Sequence, residues 1–119
     1  MGERFARAIA SKDAEQLAEL FSPEIDFRGL TPGRVWESSS SSELVHEVIL
    51  GQWFEDSDEI EAIEQLETSS MVDTERVGYR FAIKNPDGRY LVEQQAYLRT
   101  TGDRIGYLRI LCSGYRSVD

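Results

Sequence analysis

The chain has 119 residues and a formal net charge of −9, with 22 acidic and 13 basic side chains. That balance argues against nucleic acid and anionic membranes as partners, because both attract basic surfaces. The length suits a single domain over residues 1–119, and 40% hydrophobic residues are enough for a folded core. One cysteine, Cys112, excludes an internal disulfide, and a single histidine leaves no Cys/His cluster for zinc.

The start of the chain resembles neither a signal peptide nor a membrane anchor. It carries Glu3 and Arg4 where a signal peptide would have an apolar run. No segment approaches the ~18 consecutive apolar residues that a membrane span needs. We therefore expect a cytoplasmic domain that requires neither a metal nor a cofactor.

Acidic residues concentrate in the first part of the chain. Residues 1–69 hold 16 acidic and 5 basic side chains, and the densest run extends from Glu55 to Glu67 without a base. Clustered carboxylates can hold hard cations, but this run lacks the glycine turn of a calcium loop. Because most acidic runs are solvated, we predict an exposed face here.

The first elements in the chain are predicted to be helices. Apolar residues recur at helical spacing near Phe5 and again near Leu17. Between them Asp13, with Gln16 three residues later, forms a capping box that predicts the start of a second helix. Pro23 ends this helix, since the residue before a proline avoids the helical conformation.

A short strand and a third helix follow. Ile25 and Phe27 alternate with a polar residue, which predicts a short strand that ends at Gly29. The serine run 38–42 indicates a loop. Ser40 and Glu43 form another capping box, which predicts an amphipathic helix. Residues 59–68 fit either a helix or an exposed strand.

From Thr74 onward the apolar period is two, which predicts three antiparallel strands. The turn residues 85–88 would place Arg80 opposite Glu93. A two-residue loop at Thr101-Gly102 would place Gln95 opposite Leu108. Together the elements predict an α+β fold, with helices first and then an antiparallel meander.

This pairing predicts two sheet faces, because directly opposed residues share a face. Both predicted faces are too apolar to be left in water, so one face would cover the helices and the other would bind a partner chain. One bulge would reverse the faces of the last strand. The predicted apolar back of the sheet, through which we expect a homodimer, includes Val77, Tyr79, Phe81, Val92, Ala96 and Leu111.

The order of these elements resembles the nuclear transport factor 2-like superfamily, which includes ketosteroid isomerases and SnoaL-like polyketide cyclases. The resemblance covers nearly the whole chain and is strongest over residues 5–27 and 91–115. It implies a cone-shaped, curved antiparallel sheet packed on three N-terminal helices, with a ligand cavity between them. It also implies dimerisation through the back of the sheet.

The isomerase residues of this superfamily do not carry over to this chain. The first-helix tyrosine that would donate to an oxyanion corresponds to Phe5, and the general-base aspartate falls on Phe27 or Gly29. The protonated aspartate of the penultimate strand corresponds to Gln95, which can donate a hydrogen bond but cannot act as an acid. Proton transfer of the ketosteroid isomerase type is therefore not expected.

The same resemblance predicts that a polar face lines the cavity. Arg80 and Glu93 could form a ligand-binding pair or a structural ion pair, and Cys112 could be a nucleophile, if a base lay beside it, or an inert thiol. His46 either lies at the cavity rim as an acid–base group or is a solvated helix residue. The predicted ligand-binding residues are Arg80, Glu93, Gln95, Tyr97, Trp53, Trp36, Arg28 and Cys112.

Two functions remain open from the sequence. The first is a small-molecule-binding domain for a hydrophobic or anionic ligand, including a cofactor-free isomerase, cyclase or hydratase in which Glu93 and His46 are the acid–base candidates. The second is a non-catalytic binding or dimerisation module whose cavity is filled by its own side chains.

Overall fold

The computed structural model describes residues 1–118. It contains α1 (Gly2–Ala10), α2 (Ala14–Leu20), β1 (Phe21–Thr31), β2 (Arg34–Ser40), a third helix α3, β3 (Glu59–Met71), β4 (Thr74–Asn85), β5 (Gly88–Thr101), β6 (Arg104–Cys112) and β7 (Arg116–Ser117). Helix α3 begins with an α-helical turn at Ser41–Glu43 and continues as a π-helix over Leu44–Trp53. Within residues 1–118 no helix is long and apolar enough to cross a bilayer.

Both predicted capping boxes form helix N-termini. The Asp13 carboxylate accepts a hydrogen bond from the Gln16 backbone N–H at 3.0 Å. The Ser40 hydroxyl accepts one from the Glu43 backbone N–H at 3.4 Å. Each cap satisfies a backbone donor that would otherwise lack an intrahelical acceptor, so local chemistry determines where α2 and α3 begin.

The π-helical part of α3 explains how its apolar residues reach the core. The Phe54 N–H donates to the carbonyl of Ile49, five residues earlier, at 2.9 Å. Residues five apart therefore lie on one face, and Leu44, Ile49 and Phe54 are all buried. Gly51 permits this winding, since a Cβ there would lie 2.5 Å from the carbonyl oxygen of His46.

The sheet is curved and has the order β2-β1-β6-β5-β4-β3, with β7 paired to β5. The α+β cone is confirmed, but the sheet is mixed, because β1 runs parallel to β6. Strand β1 is also longer than the short strand predicted to end at Gly29, and it forms a hairpin with β2. The loop predicted for residues 38–42 is wrong, since residues 38–40 end β2 and residues 41–42 begin α3.

Strand β3 resolves the ambiguity of residues 59–68. Its pairing with β4 shifts register between Ile60 and Ala62 and again between Ile63 and Gln65. Each β-bulge adds one residue to the strand's normal period of two, so Ile60, Ile63 and Leu66 all reach the same face at helix-like spacing. The acidic residues between them are exposed, as predicted, whereas Asp58 just before the strand is buried.

The predicted register of the β4–β5 hairpin is confirmed, with Arg80 opposite Glu93 and Gly78 opposite Gln95. The predicted β5–β6 register is wrong. Its loop is Gly102-Asp103 and a bulge follows Arg99, so Gln95 pairs with Leu111 rather than Leu108. This odd-numbered shift turns β6 over relative to the prediction.

The assignment of the two sheet faces is also wrong. Five of the six residues predicted to form the apolar back lie on the inner face, which packs on the helices, and each has no more than 2% of its surface exposed. Leu111 alone of the six lies on the outer face. In β4 and β5 the predicted cavity face is therefore the outer face of the cone, whereas the β6 residue predicted for it, Cys112, is on the inner face. The inner-face residues of β4, β5 and β6 are Val77, Tyr79, Phe81, Ile83, Val92, Gln94, Ala96, Leu98, Leu108, Ile110 and Cys112.

Candidate functional site

Three of the predicted ligand-binding residues do come together, but on the outer face. Arg80, Glu93 and Gln95 surround a small pit of about 150 Å³ above Gly78. The Arg80 Nε–Glu93 Oε1 distance is 2.6 Å, and both side chains are more than a third exposed. Exposed ion pairs stabilise a fold by at most about 1 kcal/mol. The role of this group in ligand binding stays a prediction.

Tyr97 and Arg28 lie elsewhere on the outer face. They border a shallow apolar depression of about 310 Å³ formed by Leu30, Val35 and Leu111. Arg28 pairs with Glu37 at 3.6 Å. The depression is therefore apolar at its centre and has charged residues at its edge.

The remaining predicted residues, Trp36, Trp53 and Cys112, line a cavity of about 200 Å³ on the inner face. We call this space the interior cavity. It lies between the sheet, the end of α3 and the C-terminal residues. Its lining residues are uncharged: Thr31, Trp36, Gln52, Trp53, Phe54, Val92, Gln94, Cys112, Gly114 and Tyr115.

Aromatic rings form one wall of the interior cavity. The Trp53 ring meets those of Phe27 and Trp36 edge-on, each at a centroid distance of 5.8 Å. Gly29 makes room for this cluster, since a Cβ there would lie 3.1 Å from the Trp53 ring. Gly29 is one of the two positions that correspond to the superfamily's general base, and the Trp53 indole covers it.

Two buried hydrogen-bond donors at the interior cavity have no acceptor among residues 1–118. They are Nε1 of Trp53 and Nε2 of Gln94. The other end of the Gln94 amide is satisfied, because its Oε1 accepts from the Tyr79 hydroxyl at 2.6 Å. Burial raises the pKa of Tyr79, so its hydroxyl stays protonated and donates. A buried donor without an acceptor is costly, and a bound molecule or water would remove that cost.

Tyr115 closes the far side of the interior cavity. Its hydroxyl lies 2.6 Å from the Trp53 carbonyl oxygen and 2.8 Å from Oδ2 of Asp58. Burial, and then the hydrogen bond to Asp58, raise the pKa of Tyr115 well above its usual value. The hydroxyl therefore remains a donor.

Asp58 joins four segments at this end of the molecule. Its carboxylate accepts from the Glu55 backbone N–H at 3.1 Å and from the Asn85 side chain at 2.9 Å, in addition to Tyr115. Lys12, after α1, donates to the backbone carbonyls of Glu55 and Asp58. Asp58 is 6% exposed, so it is the buried exception in the otherwise solvated acidic run.

The two acid–base candidates lie outside the interior cavity. Glu93 projects from the outer face, and His46 lies on the solvent side of α3. His46 is therefore the solvated helix residue of the two alternatives. Phe5, which stands where the superfamily has its tyrosine, is fully buried, with its ring centroid 6.4 Å from that of Tyr79.

Sequence reasoning missed Gln94, Tyr79 and Tyr115. The signal for the first two was present, because the correct β4–β5 register places Tyr79 directly opposite Gln94 on an otherwise apolar face. Two polar side chains among buried aliphatic neighbours point to a specific role. Tyr115 carried no such signal, since its partner Asp58 is 57 residues away in the chain.

Comparison by sequence finds no matching family model and no matching curated protein. Comparison of structures finds the same cone in distant proteins. A candidate isomerase from Bacillus subtilis has a TM-score of 0.70 at 12% identity, covering 90% of this chain and 79% of that one. A candidate polyketide cyclase from Pseudomonas putida has a TM-score of 0.69 at 8% identity, with coverages of 91% and 85%.

An LEH-like epoxide hydrolase from M. tuberculosis has a TM-score of 0.67 at 12% identity, covering 93% of this chain and 78% of that one. These similarities confirm that the chain has the nuclear transport factor 2-like fold. At such low identity they identify the fold alone, since one fold serves many activities.

Proposed function

We propose that the protein binds a small uncharged molecule in the interior cavity. The observation that carries this proposal is a pair of buried donors without an acceptor among residues 1–118, Trp53 Nε1 and Gln94 Nε2, in two residues that line that cavity. A ligand with a hydrogen-bond acceptor would satisfy at least one of them. The uncharged lining, with the Asp58 carboxylate behind Tyr115, favours a neutral ligand over an anion.

The size of the cavity restricts this ligand. Its volume of about 200 Å³ is below the roughly 300 Å³ at which pockets for drug-sized ligands begin. Much of the cone is filled by Phe5, Phe21, Phe27 and Phe81, which are fully buried. A ligand with one ring or a short chain fits the remaining space.

Binding without catalysis is the form of this proposal that the site supports best. Glu93 and His46 do not line the cavity, and the lining side chains carry no carboxylate or imidazole. The structural neighbours described as isomerases and a polyketide cyclase are consistent with a small-molecule site. Cys112 as a free thiol fits the cytoplasmic location that we propose.

Acetophenone, a neutral one-ring ketone, is expected to shift the NMR resonance of the Trp53 indole N–H. Trp36 lines the same cavity, although its indole N–H already donates to Oγ1 of Thr31 at 2.8 Å, so the reference resonance is the backbone amide of Met71 at the exposed end of β3. The Gln94→Met variant should bind acetophenone about tenfold more weakly, as expected for a lost buried hydrogen bond. The Gln95→Met variant, changed on the outer face, should bind like the wild type.

Benzoate, which has a similar ring and a negative charge, should leave the Trp53 resonance in place. No shift of that resonance with acetophenone, cyclohexanone or another neutral one-ring ketone at millimolar concentration would contradict the proposal.

We also propose that the protein forms a homodimer through the outer face. Leu30, Val35 and Leu111 are 49%, 64% and 57% exposed around the apolar depression. Arg109 at its edge pairs with Asp26 at 3.2 Å, so the charges there are balanced within one chain. An apolar centre with a polar rim is typical of protein interfaces, and one patch can pair with its own copy about a twofold axis.

Sedimentation at micromolar concentration should give twice the chain mass of 13.6 kDa. Leu111→Glu places a charge in the apolar depression and should yield a monomer. Met71→Glu is the matched control, because Met71 is also apolar and 76% exposed but lies at the β3–β4 turn. A wild-type protein that sediments only as a monomer would rule out the dimer.

A further inference from the structure

The residues after β6 form a strap across the mouth of the interior cavity. We define the C-terminal strap as residues 113–118, of which Gly114 and Tyr115 line the cavity. Its other walls belong to strands and to α3 with the Phe54 that follows it. Strap residues 116 and 117 form β7, a two-residue strand paired with β5. The strap is therefore the wall of the cavity with the shortest strand or helix.

Backbone hydrogen bonds tie the two ends of the strap to β5. At the first end, the Ser113 N–H donates to the carbonyl of Glu93 at 2.9 Å, and the Ser113 hydroxyl accepts from the Glu93 N–H at 2.9 Å. At the second end, the Val118 N–H donates to the carbonyl of Arg89 at 3.2 Å. Residues 115–118 are exposed, and exposed segments open at lower free energy than the core.

Tyr115 fastens the middle of the strap. Its single hydroxyl proton is shared between two acceptors, the Trp53 carbonyl at 2.6 Å and the Asp58 carboxylate at 2.8 Å, and a hydrogen bond to a charged group is stronger than a neutral one. Its ring packs against those of Tyr90 and Phe54, at centroid distances of 5.7 and 6.5 Å. Gly114, directly before it, has φ +75°, a conformation that lets the chain turn there.

The two unsatisfied donors are shielded from solvent in the closed structure. Nε1 of Trp53 and Nε2 of Gln94 are buried, and both residues line the cavity together with Tyr115. The Tyr115 hydroxyl also contacts the Trp53 carbonyl, so its release would loosen the wall that contains the Trp53 donor. Some opening is needed before any molecule can reach these nitrogens.

We propose that the C-terminal strap is the entry gate of the interior cavity and that the Tyr115 hydroxyl, held by Asp58, is its latch. This inference rests on the proposed function, because the molecule that the gate would admit is the proposed ligand of the interior cavity. The opening itself is a property of the chain and can be measured without a ligand.

Hydrogen exchange measured by NMR tests the latch. Tyr115→Phe keeps the ring and removes the hydroxyl, so we expect the Trp53 indole N–H and the Val118 amide to exchange about tenfold faster. Tyr107→Phe, on the outer face and outside the apolar depression, is the matched control and should exchange like the wild type. The faster exchange should depend only weakly on urea, because local opening exposes little surface.

Association kinetics give a second measurement. Stopped-flow tryptophan fluorescence should show acetophenone entering Tyr115→Phe faster than wild type by a factor similar to the exchange factor, with Tyr107→Phe unchanged. Unchanged exchange in Tyr115→Phe, or exchange with the urea dependence of global unfolding, would overturn the latch. Faster exchange in a protein that binds no neutral ketone would instead overturn the proposed function and leave the latch standing.

Discussion

Replacing Asp58 with alanine is expected to lower the free energy of unfolding by about 3 kcal/mol. The carboxylate accepts hydrogen bonds from the Glu55 backbone, the Asn85 amide and the Tyr115 hydroxyl. Alanine would leave the Glu55 N–H and the Asn85 amide without this acceptor and the Tyr115 hydroxyl with the Trp53 carbonyl alone, and it would detach three segments from one another. Urea unfolding followed by circular dichroism measures the change.

Two variants make this expectation specific. Asp56→Ala removes an acidic residue of the same run that is exposed, and its stability should be nearly that of the wild type. Asp58→Asn keeps an acceptor oxygen and should lose less stability than Asp58→Ala. A loss below about 1 kcal/mol in Asp58→Ala would show that the network is not important for the fold.

Gly51→Ala is expected to lower the free energy of unfolding by about 2–3 kcal/mol. In the interior of an ordinary α-helix the same change would raise it by about 1 kcal/mol, because alanine has the higher helix propensity. Here the winding of α3 places the new Cβ 2.5 Å from the His46 carbonyl oxygen. The sign of the change therefore distinguishes a π-helix from an α-helix at this position.

The matched control for this variant is Gly106→Ala. A Cβ at Gly106 would have its nearest neighbour at 3.6 Å, an ordinary contact, so little stability should be lost. Because Trp53 lies two residues beyond Gly51, the tryptophan fluorescence of Gly51→Ala should also change. A more stable Gly51→Ala protein with unchanged fluorescence would contradict the π-helical winding.

The starts of α2 and α3 and the β4–β5 hairpin could be predicted because short-range chemistry specifies them. Asp13 and Ser40 cap helices through donors three residues away. The turn between Asn85 and Gly88 sets the pairing of eleven residue pairs in one continuous register. In each case the interacting groups are close in the sequence, so their spacing carries the information.

Strand β3 shows why spacing alone can mislead. Its apolar residues recur every three positions, which by itself is a helical pattern. In the structure two bulges place these residues on one face of the sheet. Whether a bulge forms depends on the neighbouring strand. The bulge after Arg99 has the same origin and reverses β6.

The candidate site could be predicted only in part. Trp36, Trp53 and Cys112 do line the interior cavity, whereas Arg80, Glu93 and Gln95 are on the opposite face of the same sheet. Adjacent residues in a strand point to opposite sides, so an error in assigning the inner face exchanges Gln95 for Gln94. Tyr115 reaches Asp58 across 57 residues, a contact that no local pattern contains.

The sequence by itself determined the α+β composition, the helix starts, the first hairpin and the concentration of acidic residues in the first part of the chain. These follow from capping, turn chemistry and charge, which act over a few residues. Only the tertiary structure decided which sheet face is buried, that Asp58 is a buried junction, and that two donors remain unsatisfied in the interior cavity. Those features depend on bulges and on contacts between segments far apart in the chain, which form only when the sheet closes on the helices.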